Sequence, residues 1–83
     1  MLTIDNKDIE NMQNKVKLIR QILGISIYEC SNLLGVSRQT LYNIENHKKT
    51  LTKMQYLAFR MLISLSVKEH PEKKQIISTI LIS

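Results

Sequence analysis

Apolar residues recur at steps of three and four in the first part of the chain, which is the spacing of one helical face. Asp5 precedes this run and can cap free backbone N–H groups, and Gly24 follows it as a residue that tolerates the left-handed conformation past a helix end. The pattern predicts a first helix whose buried face carries Ile9, Met12, Val16, Ile19 and Leu23.

Two shorter helices are predicted next. Ser26 and Glu29 have the spacing of a capping box, so a second helix begins there and stops at Gly35. Ser37 is another strong cap, and a third helix extends over 37–46. Its plainly apolar residues are Leu41 and Ile44, so it is held to a core along a narrow stripe and turns its polar side chains outward.

The pattern of the remaining sequence predicts one or two apolar helices. Thr52 can cap a fourth helix, with the apolar residues Leu51, Met54, Leu57, Ala58, Met61, Leu62 and Leu65. Pro71 marks a break and can begin a fifth helix over 72–82, with Ile76, Ile77, Ile80, Leu81 and Ile82.

The composition supports a helical fold, with 43% hydrophobic residues but only two glycines and one proline to make turns. We expect one all-α domain over 1–83, a compact bundle of four to five short helices. Its predicted core consists of Ile19, Leu23, Cys30, Leu34, Val36, Leu41, Ile44, Leu57, Ala58 and Met61.

Charge is concentrated in the middle of the chain. The net charge is +5, and residues 15–53 carry seven Lys or Arg residues against two Glu. A basic region fits a polyanionic partner, because lysines and arginines that meet phosphates release condensed counterions. Many ordinary domains are also mildly basic, so the charge supports a motif without replacing one.

The sequence offers little for catalysis or metal binding. Cys30 is the single cysteine, which excludes an intramolecular disulfide, and no Cys/His spacing suggests a zinc site. No nucleophile with a base, paired carboxylates or phosphate-binding glycine loop is present, so we expect neither an enzyme nor a cofactor. With no signal peptide or membrane-spanning stretch, a cytoplasmic location is expected.

Four stretches carry a family resemblance: VKLIR at 16–20, GIS at 24–26, LGVSRQTL at 34–41 and IEN at 44–46. In order and spacing they resemble the phage-repressor and Cro (XRE-like) helix-turn-helix family over roughly residues 15–65. The resemblance implies a lambda-repressor-like DNA-binding domain whose third helix enters the major groove. It further implies base contacts from Arg38, Gln39, Thr40 and Asn43.

The same resemblance assigns other roles. It implies a structural ion pair between Arg20 and Glu45, and backbone-phosphate contacts from Ser37, Tyr28, Tyr42, Asn46, Lys48, Lys49 and Lys53. Two positions depart from the family pattern. Ile27 replaces the usual polar residue at the start of the second helix, and His47 replaces a glycine after the third. Either Asn46 or His47 must then adopt the terminating conformation, and asparagine does so more readily.

The resulting hypothesis is a sequence-specific double-stranded DNA-binding regulator, most simply a repressor, with no small-molecule effector. The alternative is a protein-interaction module on the same helical frame, such as an antitoxin-like or inhibitor protein. A homodimer is expected on DNA, with the apolar tail residues Ile76, Ile77, Ile80, Leu81 and Ile82 as its surface. In the competing interpretation this tail completes its own core against Met61, Leu62 and Leu65.

Overall fold

The structure is a computed structural model that describes residues 4–82. Its helices are α1 (Asn6–Ile22), α2 (Ile27–Leu34), α3 (Arg38–Glu45), α4 (Lys53–Glu69) and α5 (Lys74–Ile82). A 3-10 turn, Pro71–Lys73, precedes α5, and no strand occurs in the described part of the chain. The prediction of an all-α bundle is confirmed. No helix within residues 4–82 is both long and apolar enough to cross a bilayer.

The predicted helix starts are set by local side-chain caps. Asp5 accepts a hydrogen bond from Lys7 N at 3.0 Å. Ser26 and Ser37 accept from the backbone N–H groups three residues ahead, at 3.1 and 3.0 Å. Thr52 and Gln55 exchange two such bonds and form a full capping box. These caps satisfy N–H groups that have no partner inside the helix, which fixes where each helix begins.

Left-handed residues terminate the first three helices. Gly24 and Gly35 have φ of 73° and 71°, as their positions after α1 and α2 predict. After α3 it is His47 that has a positive φ, of 60°, whereas Asn46 has φ of −102°. The preference for Asn46 at this position is therefore wrong. The turn at His47 brings Lys48 N to 2.8 Å from Asn43 O, and Asn46 instead donates its side-chain amide to Tyr42 O at 2.8 Å.

We expect His47→Gly to stabilise the fold, because a left-handed conformation costs a residue with a Cβ about 1–2 kcal/mol that glycine avoids. The greater freedom of glycine in the unfolded chain offsets part of this, which leaves a gain of about 1 kcal/mol. Thermal unfolding followed by circular dichroism should show a rise of a few degrees. Lys48→Gly is the control, since His47 is the one non-glycine residue of the described chain with positive φ. A lower melting temperature for His47→Gly than for the parent chain would contradict the assignment of this strain.

The core joins α1, α2, α3 and α4 around fully buried side chains. Five predicted members are buried, namely Ile19, Leu23, Cys30, Leu41 and Ile44. Leu34 and Val36 are only partly buried.

The sequence pattern predicted the wrong buried face for α4. Tyr56, Phe59 and Ile63 point inward, whereas Leu57 and Ala58 are partly exposed and Met61 is 62% exposed. Apolar residues occupy every face of α4, so their spacing does not select one buried stripe. The face is chosen by the neighbouring helices, with the largest fully buried side chain, Phe59, at its centre.

Helix α5 packs on α1 of the same chain. Ile77 is buried, and Ile80 and Leu81 pack against the core from its edge. Asn11 Nδ2 donates to Leu81 O at 2.9 Å, and Lys15 Nζ donates to Ile80 O. The tail thus completes the core of its own chain, as the competing interpretation expected, but it does so against α1 and not against Met61 and Leu65, which are both more than half exposed. Ile77 is therefore taken up inside the chain and is not available to the dimer surface expected from the tail. Of the apolar tail residues, Ile76 and Ile82 remain exposed.

Candidate nucleic-acid interface

Helix α3 has one buried face and one polar face. Leu41 and Ile44 are completely buried and hold the helix to the core. Arg38, Gln39 and Tyr42 are exposed on the opposite face, and Thr40 and Asn43 are half-buried between the two. Residues 35–37 connect α3 to α2, and the two helices pack against each other. All four predicted base-contacting residues thus lie on a short helix that is fixed from behind.

The first turn of α3 faces the start of α2. The guanidinium carbon of Arg38 lies 5.3 Å from the centre of the Tyr28 ring, which is a cation–π distance. Between the helices is an open depression lined by Ile27, Ser37, Arg38, Gln39 and Tyr42. Ile27 contributes an apolar side chain to this lining, so polar binding here falls to Tyr28 and the α3 residues.

Hydrogen bonds within α3 orient the polar side chains. Gln39 Nε2 donates to Asn43 Oδ1 at 3.0 Å. Each amide keeps donor and acceptor capacity for a ligand, because a primary amide has two N–H groups and a carbonyl oxygen. Ser37 Oγ donates to Thr40 Oγ1 at 2.9 Å while it accepts from Thr40 N. The bond to Thr40 Oγ1 uses the one hydroxyl hydrogen of Ser37, so this residue can offer an approaching phosphate little beyond the backbone.

A basic segment leads out of α3. Lys48 Nζ lies 5.9 Å above the Tyr42 ring, so this lysine is held beside the polar face of α3. Lys49 follows in the exposed loop, and Lys53 is exposed in the first turn of α4. Asn46 is exposed, but its amide is hydrogen-bonded to Tyr42 O. Three lysines therefore surround the exit of α3.

An ion pair between Arg20 and Glu45 supports α3 from α1. Arg20 Nε donates to Glu45 Oε2 at 2.8 Å and Nη2 to Oε1 at 3.3 Å. The two side chains are 12% and 3% exposed. The hydrogen bond to Glu45 raises the pKa of Arg20 above its ordinary value, against the opposing effect of burial. Arg20 Nη1 also donates to Ile25 O at 3.0 Å, so one side chain connects α1, the α1–α2 turn and α3.

Gln13 is a supporting residue that the sequence patterns did not identify. It is buried in α1, where its Nε2 donates to Ile44 O at 3.0 Å and to Lys49 O at 2.8 Å. Its Oε1 accepts from Leu51 N at 3.1 Å. This one amide attaches the loop after α3 to the first helix. The available signal was its position within the apolar stripe, directly after Met12 and four residues from Ile9.

Cys30 lies in the core beneath this surface. It is completely buried, and burial raises the pKa of its thiol to about 11. The thiolate is the reactive form, so Cys30 acts as a small apolar side chain at neutral pH. Among residues 4–82, no three His, Cys, Asp or Glu side chains come together to hold a metal ion.

Comparison of the chain with protein-family models, curated proteins and solved structures finds no match. The functional argument therefore depends on the chemistry and geometry of α3 and its surroundings.

Proposed function

We propose that this chain binds double-stranded DNA sequence-specifically, as a cytoplasmic transcriptional regulator that inserts α3 into the major groove. The supporting observation is the division of α3 into a buried face, with Leu41 and Ile44, and an exposed polar face that begins with Arg38 and Gln39. The major groove is about 12 Å wide and accommodates one α-helix. Occupying a promoter is enough to block transcription, so repression is the simplest outcome.

The side chains of α3 suit base edges. Arginine can donate two hydrogen bonds to guanine O6 and N7, and glutamine can pair with adenine N6 and N7. Arg38 and Gln39 are in the first turn, where a recognition helix enters deepest. Asn43 is one turn later and is hydrogen-bonded to Gln39, so the two amides present one connected polar surface.

The lysines at the exit of α3 suit the phosphate backbone. Lys48, Lys49 and Lys53 are exposed next to α3 and have no acidic partner in the described ion pairs. Phosphate contacts fix the register of a protein on the duplex without specifying sequence. Each such contact should make the slope of log K against log salt more negative by about 0.9.

Gln39→Ala should alter or relax base preference at one position, with a loss of about 1–3 kcal/mol on the selected site. Lys49→Ala should weaken binding to all duplexes similarly. It should also make the slope of log K against log salt less negative by about 0.9, the contribution of one phosphate contact. The site is first obtained by selecting bound duplexes from a random pool, and binding is then measured on that site and on scrambled DNA. Lys74→Ala, an exposed lysine at the start of α5, is the control and should change neither quantity.

The outcomes separate the two roles. Equal losses on selected and scrambled DNA for both Gln39→Ala and Lys49→Ala would contradict the assignment of bases to Gln39 and phosphates to Lys49. If the random pool yields no enriched sequence, the DNA-binding proposal itself is wrong.

The second candidate, a protein-interaction module, is favoured by exposed apolar side chains away from α3. Leu33, Met61 and Leu65 are each more than half exposed.

A DNA-binding regulator also needs such a surface, since one recognition helix reads too few base pairs to select a site in a genome. Two copies on half-sites about 34–36 Å apart overcome this. We therefore propose a symmetric homodimer on DNA.

A further inference from the structure

Helix α4 has two apolar faces on opposite sides. Its inner face consists of Tyr56, Phe59 and Ile63, which are buried. At about 100° per residue, a second line of apolar residues lies diametrically opposite. We call this line the outer stripe, and it consists of Met54, Ala58, Met61 and Leu65. Met54 is 76% exposed, Met61 62% and Leu65 55%. The core of the chain accounts for the inner face and leaves the outer stripe without a partner in the described residues.

The spacing of the outer stripe is that of a helix-pairing seam. Its members are separated by four, three and four residues, as the a and d positions of a coiled coil are. The stripe spans about 16 Å at 1.5 Å per residue. Partly buried Leu57 and Leu62 flank it, which widens the apolar strip on both sides. Such a face matches an identical face on another helix.

The two edges of the outer stripe carry opposite charge. On one edge, Leu65 lines a groove that also contains Leu33, Glu29 and Glu69. This edge is therefore acidic and continues the apolar surface onto α2. On the other edge, Lys68 follows Leu65 by three residues and lies on the opposite side of the stripe from Glu69, so this edge is basic at the carboxyl end of α4.

From this arrangement we propose that the outer stripe is the interface with a second copy of this chain, with the two α4 helices parallel about a two-fold axis. A two-fold axis along the helices brings the acidic edge of each copy against the basic edge of the other. Glu69 then faces Lys68 of the second copy, and the contact occurs twice. An antiparallel pair would instead place each edge against its own counterpart, acid against acid and base against base.

Parallel pairing also suits the proposed function, on which this inference partly rests. The amino end of α4 adjoins the loop that carries Lys48 and Lys49. In a parallel pair both loops, and the α3 helices that they follow, lie at the same end of the dimer. One duplex can then meet both. The depression in front of α3 contains no α4 residue, so the interface leaves Arg38 and Gln39 uncovered.

The dimer should be weak in free solution. A stable interface typically buries about 800 Å² per partner, which is more than a four-residue helix seam provides. We therefore expect dissociation constants on the order of tens of micromolar without DNA. Adjacent half-sites would raise the occupancy of the dimer by holding both copies together.

Sedimentation of the full chain without DNA, at concentrations up to roughly 1 mM, tests the surface. Met61→Glu should weaken the dimer at least about tenfold, because it puts a carboxylate in the centre of the seam. Ile82→Glu is the matched control, since Ile82 is an even more exposed apolar residue on α5, and it should leave the dimer unchanged. Circular dichroism verifies that both variants fold. A parent chain that stays monomeric, or a dimer that only Ile82→Glu disrupts, overturns the proposal.

Cysteine cross-linking tests the orientation. In a Cys30→Ala background, Met54→Cys and Leu65→Cys are made separately and oxidised mildly without DNA. Parallel pairing predicts a disulfide within each variant alone. A disulfide that forms only when the two variants are mixed would show antiparallel pairing and contradict the proposal. All these measurements omit DNA, so they test the interface independently of the proposed function. If the chain dimerises through Met61 but selects no duplex, the DNA-binding proposal is refuted and this interface is retained.

Discussion

Glu45→Leu should lower the free energy of unfolding by about 3–5 kcal/mol, because it leaves the buried guanidinium of Arg20 without its counter-charge. The Arg20 side chain is 12% exposed and donates two hydrogen bonds to the Glu45 carboxylate, so solvent can replace little of what is lost. Small domains have total stabilities of about 5–15 kcal/mol, and this loss is a large part of such a value. Urea unfolding followed by circular dichroism measures the change.

The double variant Arg20→Met/Glu45→Leu is the informative comparison. Replacing both members of a buried ion pair by apolar residues is often neutral or stabilising, so the double variant should recover most of the loss. A residual cost of about 1 kcal/mol is expected, because Ile25 O loses the hydrogen bond from Arg20 Nη1. If Glu45→Leu costs less than about 1 kcal/mol, the pair is no stronger than an ordinary surface ion pair and this account fails.

Gln13→Leu should destabilise the fold by about 2–4 kcal/mol, as a buried donor or acceptor without a partner costs about 1–3 kcal/mol. The main loss is at Leu51 N, a buried backbone donor that bonds to Gln13 Oε1. Two carbonyl oxygens, on Ile44 and Lys49, also lose a donor. The measurements are urea unfolding and hydrogen exchange at the Leu51 amide, which should become much faster.

Gln21→Leu is the matched control for this variant. It removes the same amide from an exposed position of the same helix, and it should change stability by less than about 0.5 kcal/mol. Equal effects for the two variants would mean that Gln13 contributes through helix propensity and not through its three hydrogen bonds.

The helix starts were predictable from sequence because each depends on a few neighbouring residues. Asp5, Ser26, Ser37 and Thr52 each bond to a backbone N–H two or three residues ahead, so a short window of sequence contains the whole interaction. The two glycine stops are local in the same way. The all-α prediction followed from these signals.

The inner face of α4 and the position of α5 were not predictable in this way. With apolar residues around its whole circumference, α4 could bury Met61 or Phe59 equally well on spacing alone, and the surface that α1 and α2 present to it decides for Phe59. Helix α5 is placed by bonds from Asn11 and Lys15 across 70 and 65 residues. No local pattern contains such contacts.

The exposed part of the candidate site was predicted better than its support. Arg38, Gln39 and Tyr42 were identifiable because polar residues on a helix with a narrow apolar stripe must face outward. Gln13 was missed because its partners are backbone atoms, whose positions are determined only by the folded chain. His47 was misjudged for a related reason, since the left-handed residue is selected by the bond from Lys48 N to Asn43 O and not by residue preference.

The bonds from Asn11 and Lys15 to the end of α5 also bear on how the chain folds as it is made. The first described helix is completed by the last described one, so α1 emerges from the ribosome with the surface for α5 still bare. Synthesis at about 5–20 residues per second leaves that surface open for several seconds before residues 80 and 81 exist. The caps and short contacts of α2 and α3 can form during this time, whereas docking of α5 must close a loop of more than 60 residues. The side of α1 that carries Asn11 and Lys15 is therefore covered last.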